Sequence, residues 1–150
     1  MKKLQFVDAE EESKNKISKM ADRLSSELIN AGFIVQRYDA YSTDSIYLKL
    51  DYGMCNSIRI SNHNGKKHLN YKYNLRSDIK AFKREKTDYT RYYYPFEKVK
   101  KLIQDIIYDR QEKINKHGEQ EYFELMKIEK QLKHDTKGFW SKAYLVNKEG

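Results

Sequence analysis

Apolar residues near the start of the chain recur at intervals of three and four: Ile17, Met20, Leu24, Leu28 and Ala31. Such spacing places them on one face of an α-helix. Asp8 and Glu11 have the offset of a capping box, so the pattern predicts a long helix that begins at Asp8 and ends near Gly32.

The next forty residues have the features of strands. Residues 33–38 are bulky and partly β-branched, and from position 45 polar residues alternate with apolar ones: Ile46, Leu48, Leu50, Ile58, Ile60, Leu69, Tyr71, Tyr73 and Leu75. Residues 51–53 and 62–65 carry the Asp, Asn and Gly types that favour tight turns. This pattern predicts an antiparallel meander of about four strands with one wet face.

The second half of the chain returns to helical spacing. Ser77 or Asp78 can cap a short helix that ends near Glu85, and residues 86–94, which lack a period, are predicted to form a loop. Pro95 suits the first turn of a second long helix, which ends at His117 and Gly118. Its predicted apolar stripe is Phe96, Val99, Ile103, Ile106 and Ile107. A third helix is predicted from the apolar stripe Tyr122, Leu125, Ile128 and Leu132. Residues 138–140 and 144–146 are predicted to fold back as a small apolar clasp.

These elements predict a single α+β domain over residues 1–150. We expect the antiparallel meander to pack against the two long helices, with the third helix C-terminal to them. The one cysteine, Cys55, cannot form an internal disulfide, and the chain shows neither a signal-peptide pattern nor a membrane-length apolar run. A cytoplasmic protein without membrane contact is therefore expected.

The positive charge of the chain is concentrated in one segment. Residues 66–101 hold twelve bases and four acids, a net charge of +8, which equals the formal charge of the whole chain. Six of the 13 tyrosines lie in the same segment. Because bases pair with anions and tyrosine rings pack or stack, we expect the working face of the protein here.

Two strand segments carry a polar cluster opposite the buried isoleucines. Alternation places Tyr47, Arg59 and Ser61 on that face, before the turn at Asn62 and His63. Spacing alone favours an ordinary solvated sheet face and leaves a binding role open. However, Ser45 and Tyr47, followed by Ile-Arg-Ile-Ser-Asn-His at residues 58–63, resemble a strand motif of type II-A anti-CRISPR proteins from phages and mobile elements.

The resemblance implies a target and four contact residues. The target is the RNA-guided DNA endonuclease of type II CRISPR systems with its guide RNA, in the cytoplasm of a bacterial host, and the residues are Tyr47, Arg59, Asn62 and His63. The chain has no dense acidic face, which argues against DNA mimicry and favours a protein contact with a nuclease domain. The alternative is a sequence-indifferent nucleic-acid-binding protein of a mobile element, with direct RNA or DNA contact. Further candidate contacts in the basic segment are Lys83, Arg84, Lys86, Arg91, Tyr92, Tyr93 and Tyr94.

The sequence offers no motif for catalysis. His63 and His68 have no carboxylate in their turn and match no ligand spacing, so no metal is expected. Cys55 has no base beside it in sequence, which argues against a nucleophile. With no phosphate-binding glycine loop and no carboxylate pair, the chain is predicted to bind no cofactor and not to be an enzyme.

Overall fold

The computed structural model shows an antiparallel sheet covered on one face by helices. It describes residues 2–40, 45–54, 56–62, 69–76, 89–132 and 142–147. Within them the helices are α1 (Lys2–Asn30), α2 (Val99–His117) and α3 (Glu119–Leu132). The strands are β1 (Val35–Asp39), β2 (Ser45–Leu50), β3 (Asn56–Ser61), β4 (Tyr71–Arg76), β5 (Tyr89–Tyr94) and β6 (Tyr144–Leu145). The predicted α+β class is confirmed.

The six strands that the structure describes lie in the order β5-β4-β3-β2-β1-β6, and every neighbouring pair is antiparallel. Strands β1 to β4 form the predicted meander. Two strands extend it, so the estimate of about four was too low. The predicted loop at residues 86–94 is wrong where it is described, because Tyr89–Tyr94 pair along the whole length of β4.

The predicted C-terminal clasp and the predicted short helix at residues 77–85 have different outcomes. Residues 144–145 form β6 on the outer edge of β1, with Tyr144 and Leu145 half exposed rather than buried as an apolar clasp. Val146 packs against the core. Residues 138–140 and the helix predicted at residues 77–85 lie outside the described residues.

The main core lies between the sheet and the first two helices, as predicted. Ile17, Leu24 and Leu28 of α1 and Leu102 and Ile106 of α2 are buried against the apolar side of the strands. The burial of such side chains is the main stabilising contribution to the fold. The predicted stripes need correction at three positions, since Ile107 and Ile128 are each 41% exposed and Ala31 is exposed in the turn after α1.

The start of the first helix also differs from the prediction. Helix α1 already includes Lys2, so Asp8 and Glu11 lie inside it and cannot form its capping box. An Asp-x-x-Glu pattern has the same spacing within a helix as at its start, and here the preceding residues are helical too.

A buried carboxylate joins the sheet to α2 and α3. Asp51 follows β2 in a left-handed turn (φ 52°) and is fully buried. It accepts hydrogen bonds from the Ile34 backbone N–H (3.0 Å), Arg110 Nε (2.8 Å) and the Tyr122 hydroxyl (2.5 Å). Tyr122 belongs to a second apolar cluster with Met54 and Leu125, which fixes α3 beside α2.

Candidate functional site: the outer face of the sheet

We call the side of the sheet that faces away from α1 and α2 the outer face. Strand residues alternate between the two sides, so the outer face consists of the strand residues that alternate in sequence with the core residues. Its described side chains, apart from Leu145 on β6, are Gln36, Tyr38, Ser45, Tyr47, Lys49, Ser57, Arg59, Ser61, Lys72, Asn74, Arg91 and Tyr93. None of them is acidic.

Strand register aligns five of these side chains in one row across the sheet. Successive cross-strand partners give the transverse row Tyr38, Tyr47, Arg59, Lys72 and Tyr93. Directly opposite side chains have Cβ atoms about 4.5–5.5 Å apart, so each member lies directly beside the next. The two rings at one end lie 6.4 Å apart between centroids, and Tyr93 at the other end is 47% exposed.

Three bases cluster in the middle of the outer face. Arg59 and Lys72 are direct cross-strand partners. Arg91 lies on β5 opposite Asn74, which is two residues after Lys72, so Arg91 is the diagonal neighbour of Lys72 on the same face. The pKa of the Lys72 ammonium is lowered, first by burial and then by repulsion from Arg59 and Arg91. The cluster is therefore a region of positive potential in which the described side chains provide no counter-charge.

The outer face also contains polar atoms that have no hydrogen-bond partner. They are Gln36 Oε1, Arg59 Nε, Ser61 Oγ and Asn74 Oδ1. Ser61 is 3% exposed, contrary to the predicted wet face at this position. Buried polar groups are normally paired, so four unpaired atoms on one face are unusual.

The structure brings together part of the predicted site. Tyr47 and Arg59 are cross-strand partners, and Arg91 and Tyr93 share their face. Asn62 directly follows β3. His63, Lys83, Arg84 and Lys86 lie outside the described residues.

The three consecutive tyrosines do not share one face, because they form a strand. Tyr93 lies on the outer face, while Tyr92 and Tyr94 lie on the helix side. Tyr92 packs on Tyr73, with ring centroids 6.2 Å apart, and Tyr94 donates to Asp105 of α2 at 2.5 Å. Tyr94 is therefore a structural residue.

Sequence reasoning missed Tyr38 and Lys72 as members of this site. Both are at the alternating positions of predicted strands, so the period-two pattern contains the signal for their face. Only the order and the register of the strands show that Tyr38 and Lys72 extend the row of Tyr47 and Arg59.

A second polar cluster lies on the helix side. Asn56 Nδ2 donates to the Tyr73 hydroxyl, which donates to Asp109 Oδ2 at 2.7 Å, and Lys113 Nζ donates to Asn56 Oδ1 at 3.0 Å. Burial raises the pKa of the Asp109 carboxyl, while Tyr73 and Lys113 oppose that rise. These bonds join β3 and β4 to α2, beside an open groove of about 510 Å³ that includes His117.

Two searches of the described residues were negative. They hold no group of three or more His, Cys, Asp or Glu side chains placed to bind a metal ion. Nor do they include a helix of the length and apolarity required to cross a membrane.

The fold and the outer face define an α+β protein with a basic and aromatic sheet surface. Comparison of the chain with protein-family models, curated proteins and solved structures found no significant match.

Proposed function

We propose that the protein is an inhibitor encoded by a phage or mobile element, which binds the guide-loaded nuclease of a type II CRISPR system and blocks target cleavage. It acts stoichiometrically in the host cytoplasm and catalyses no reaction. One observation carries the proposal: Tyr47 and Arg59, two residues of the anti-CRISPR-like motif, are cross-strand partners in the centre of a sheet face whose described side chains include no acid.

The charge of that face favours one mode of binding over another. An inhibitor that imitates DNA presents acidic groups, whereas Arg59, Lys72 and Arg91 present cations. A cationic face complements an acidic surface, and such complementarity provides specificity and fast association. Docking on a nuclease domain whose movement is needed for cutting prevents cleavage without displacing the target DNA.

A plasmid-cleavage assay with a panel of type II nucleases tests the proposal. The protein is added before or after guide loading, at physiological salt, and target binding is followed in parallel by a mobility-shift assay. We expect cleavage to stop at a near-stoichiometric ratio while target binding persists. Undiminished cutting by every nuclease, together with no binding to any loaded complex, contradicts the proposal.

Charge reversal tests whether the outer face makes the contact. Arg59→Glu combined with Arg91→Glu should raise the concentration needed for half inhibition about tenfold or more, because reversed charges repel an acidic partner. Lys98→Glu combined with Lys100→Glu is the matched control, since both lysines are exposed at the start of α2. Equal inhibition by the two double variants places the contact elsewhere.

The alternative function has its own outcome. If no nuclease is inhibited but the wild-type protein is retained on free RNA or DNA at physiological salt, the protein is a sequence-indifferent nucleic-acid-binding protein of a mobile element. The row of bases and rings on the outer face favours this second candidate.

A further inference from the structure

We infer that the outer face of the sheet binds a single strand of RNA or DNA, with backbone phosphates on Arg59, Lys72 and Arg91 and bases stacked on Tyr47 and Tyr93. This site does not depend on the proposed nuclease inhibition. It follows from the strand register and from the chemistry of the outer-face side chains.

The three basic side chains suit an anion with more than one charge. Arg59 and Lys72 are adjacent across the strands, Arg91 lies diagonally from Lys72, and the described outer face has no carboxylate among them. Burial, and then repulsion from the two arginines, lowers the pKa of Lys72, and Arg59 Nε has no hydrogen-bond acceptor. A phosphodiester chain supplies a series of acceptor oxygens, each phosphate with one negative charge.

The unpaired amide oxygens favour a ligand that carries hydrogen-bond donors as well as negative charge. Gln36 Oε1 and Asn74 Oδ1 are acceptors that lack a donor, and the Ser61 hydroxyl is also unpaired. Ionised Asp and Glu side chains only accept hydrogen bonds, so an acidic segment could pair these two oxygens only through its backbone N–H groups. Base edges carry N–H donors beside acceptors, and RNA adds the 2′-hydroxyl.

The tyrosines argue for a single strand rather than a duplex. Tyr47 and Tyr93 flank the basic side chains Arg59 and Lys72 in the transverse row. The two tyrosines lie three strands apart, and Tyr93 is half exposed. Rings on a sheet surface stack on bases only when those bases are unpaired and turned outward. A duplex hides its base faces and would leave these rings without a role.

Fluorescence anisotropy with labelled oligouridine and oligothymidine, and no nuclease present, tests the site. The triple variant Arg59→Gln, Lys72→Gln, Arg91→Gln should bind at least tenfold more weakly than wild type. The control Lys98→Gln, Lys100→Gln, Lys127→Gln removes the same charge from exposed helix positions and should remain within about twofold of wild type. Circular dichroism and thermal unfolding establish that both variants fold.

Salt dependence and one ring variant provide two further readouts. Three phosphate contacts to a single strand predict a slope of log K against log salt of about −2. Tyr93→Ala should weaken binding by about five- to a hundredfold, whereas Tyr93→Phe retains the stacking surface and should bind like wild type.

Three outcomes of the oligonucleotide measurements would overturn the inference. They are no binding of either oligonucleotide by wild type, equal binding by the triple variant and its control, or full binding by Tyr93→Ala. Preferential binding of polyglutamate over the oligonucleotides also overturns it, because the face would then suit an acidic protein. A nuclease assay plays no part, so failure here is distinguishable from failure of the proposed inhibition.

Discussion

Asp51 is the residue on which the junction of sheet and helices depends most. Its carboxylate is fully buried, and it is the counter-charge of Arg110, whose side chain is 12% exposed. Removing one partner of a buried ion pair leaves the other charge uncompensated, which costs about 3–5 kcal/mol. Asp51→Asn should therefore lower the free energy of unfolding by about 3 kcal/mol or more, measured by urea denaturation at neutral pH.

Asp22 offers the control for that measurement. It pairs with Arg37 at 2.6 Å but is 67% exposed, and Asp39 also contacts Arg37. Because Asp22 is mostly exposed and Asp39 remains as a counter-charge for the buried Arg37, Asp22→Asn should cost about 1 kcal/mol or less. Similar losses in the two variants contradict a special role for Asp51.

Asp109 should make stability depend on pH in the opposite sense to an ordinary paired carboxylate. Burial raises the pKa of Asp109 in the folded protein above its ordinary value of 3.8. At a pH between 3.8 and the pKa in the folded protein, the folded state therefore binds more protons than the unfolded state. Stability then decreases as the pH rises through that window. Asp109→Asn keeps an acceptor for the Tyr73 hydroxyl and removes the titration, so wild type should lose stability relative to the variant as the pH rises above 3.8.

Urea unfolding of both proteins at a series of pH values gives this difference directly. Asp105 is the contrasting group on the same helix, because hydrogen bonds from Tyr94 and Lys101 oppose its burial and lower its pKa. Asp105→Asn should show the opposite trend, with wild type gaining relative stability as the pH rises to 3.8. Parallel curves for wild type and Asp109→Asn contradict the assignment.

At the same scale, the sequence identifies some site residues and not others. Tyr47 and Arg59 could be assigned to one face because a period of two determines which face a residue occupies. Tyr38 and Lys72 join them only through pairings between strands. Those pairings depend on the whole sheet, so local spacing cannot provide them.

At the scale of elements, β5 shows where the pattern fails. Its six residues, Tyr-Thr-Arg-Tyr-Tyr-Tyr, have large side chains on both faces and no apolar-polar alternation. β-branched and aromatic residues nevertheless favour strands, so the strand propensity of these residues indicated β5 where the hydrophobic periodicity did not. Helix α2, by contrast, has a clear stripe, and its end at His117 and Gly118 was predicted correctly.

Attachment of β5 to α2 gives a test of the strand assignment. Tyr94 donates to the Asp105 carboxylate, and hydrogen bonds to charged groups contribute about 1.5–3 kcal/mol. Tyr94→Phe should lower the free energy of unfolding by about 1.5 kcal/mol in thermal or urea denaturation. Tyr93→Phe, one position away on the outer face, should change it by less than about 0.5 kcal/mol. If the two variants are equally stable, this stretch does not have the alternating arrangement of a strand.

At the scale of the whole molecule, the strand order brings charge from distant parts of the sequence onto one surface. Lys72 and Arg91 belong to the basic segment of residues 66–101, whereas Arg59 lies outside it and joins them through β3. The helix side carries most of the apolar core, so the outer face is available for charges and rings. Stability alone does not explain three neighbouring cations there, because like charges repel.

This repulsion provides the final prediction. Folding lowers the pKa of Lys72, so its charged form is disfavoured in the folded protein, and stability should rise as the pH approaches 10.5. Lys72→Gln should therefore raise the free energy of unfolding by about 0.5 kcal/mol at low salt and neutral pH. Added salt screens the repulsion, so the gain should shrink as ionic strength increases. Lys100→Gln, on exposed helix surface, should show no comparable gain. A loss of stability in Lys72→Gln contradicts the inference that the cations of this cluster repel one another without compensation. A gain in stability accompanied by weaker oligonucleotide binding means that wild type retains an unfavourable charge because it binds an anion.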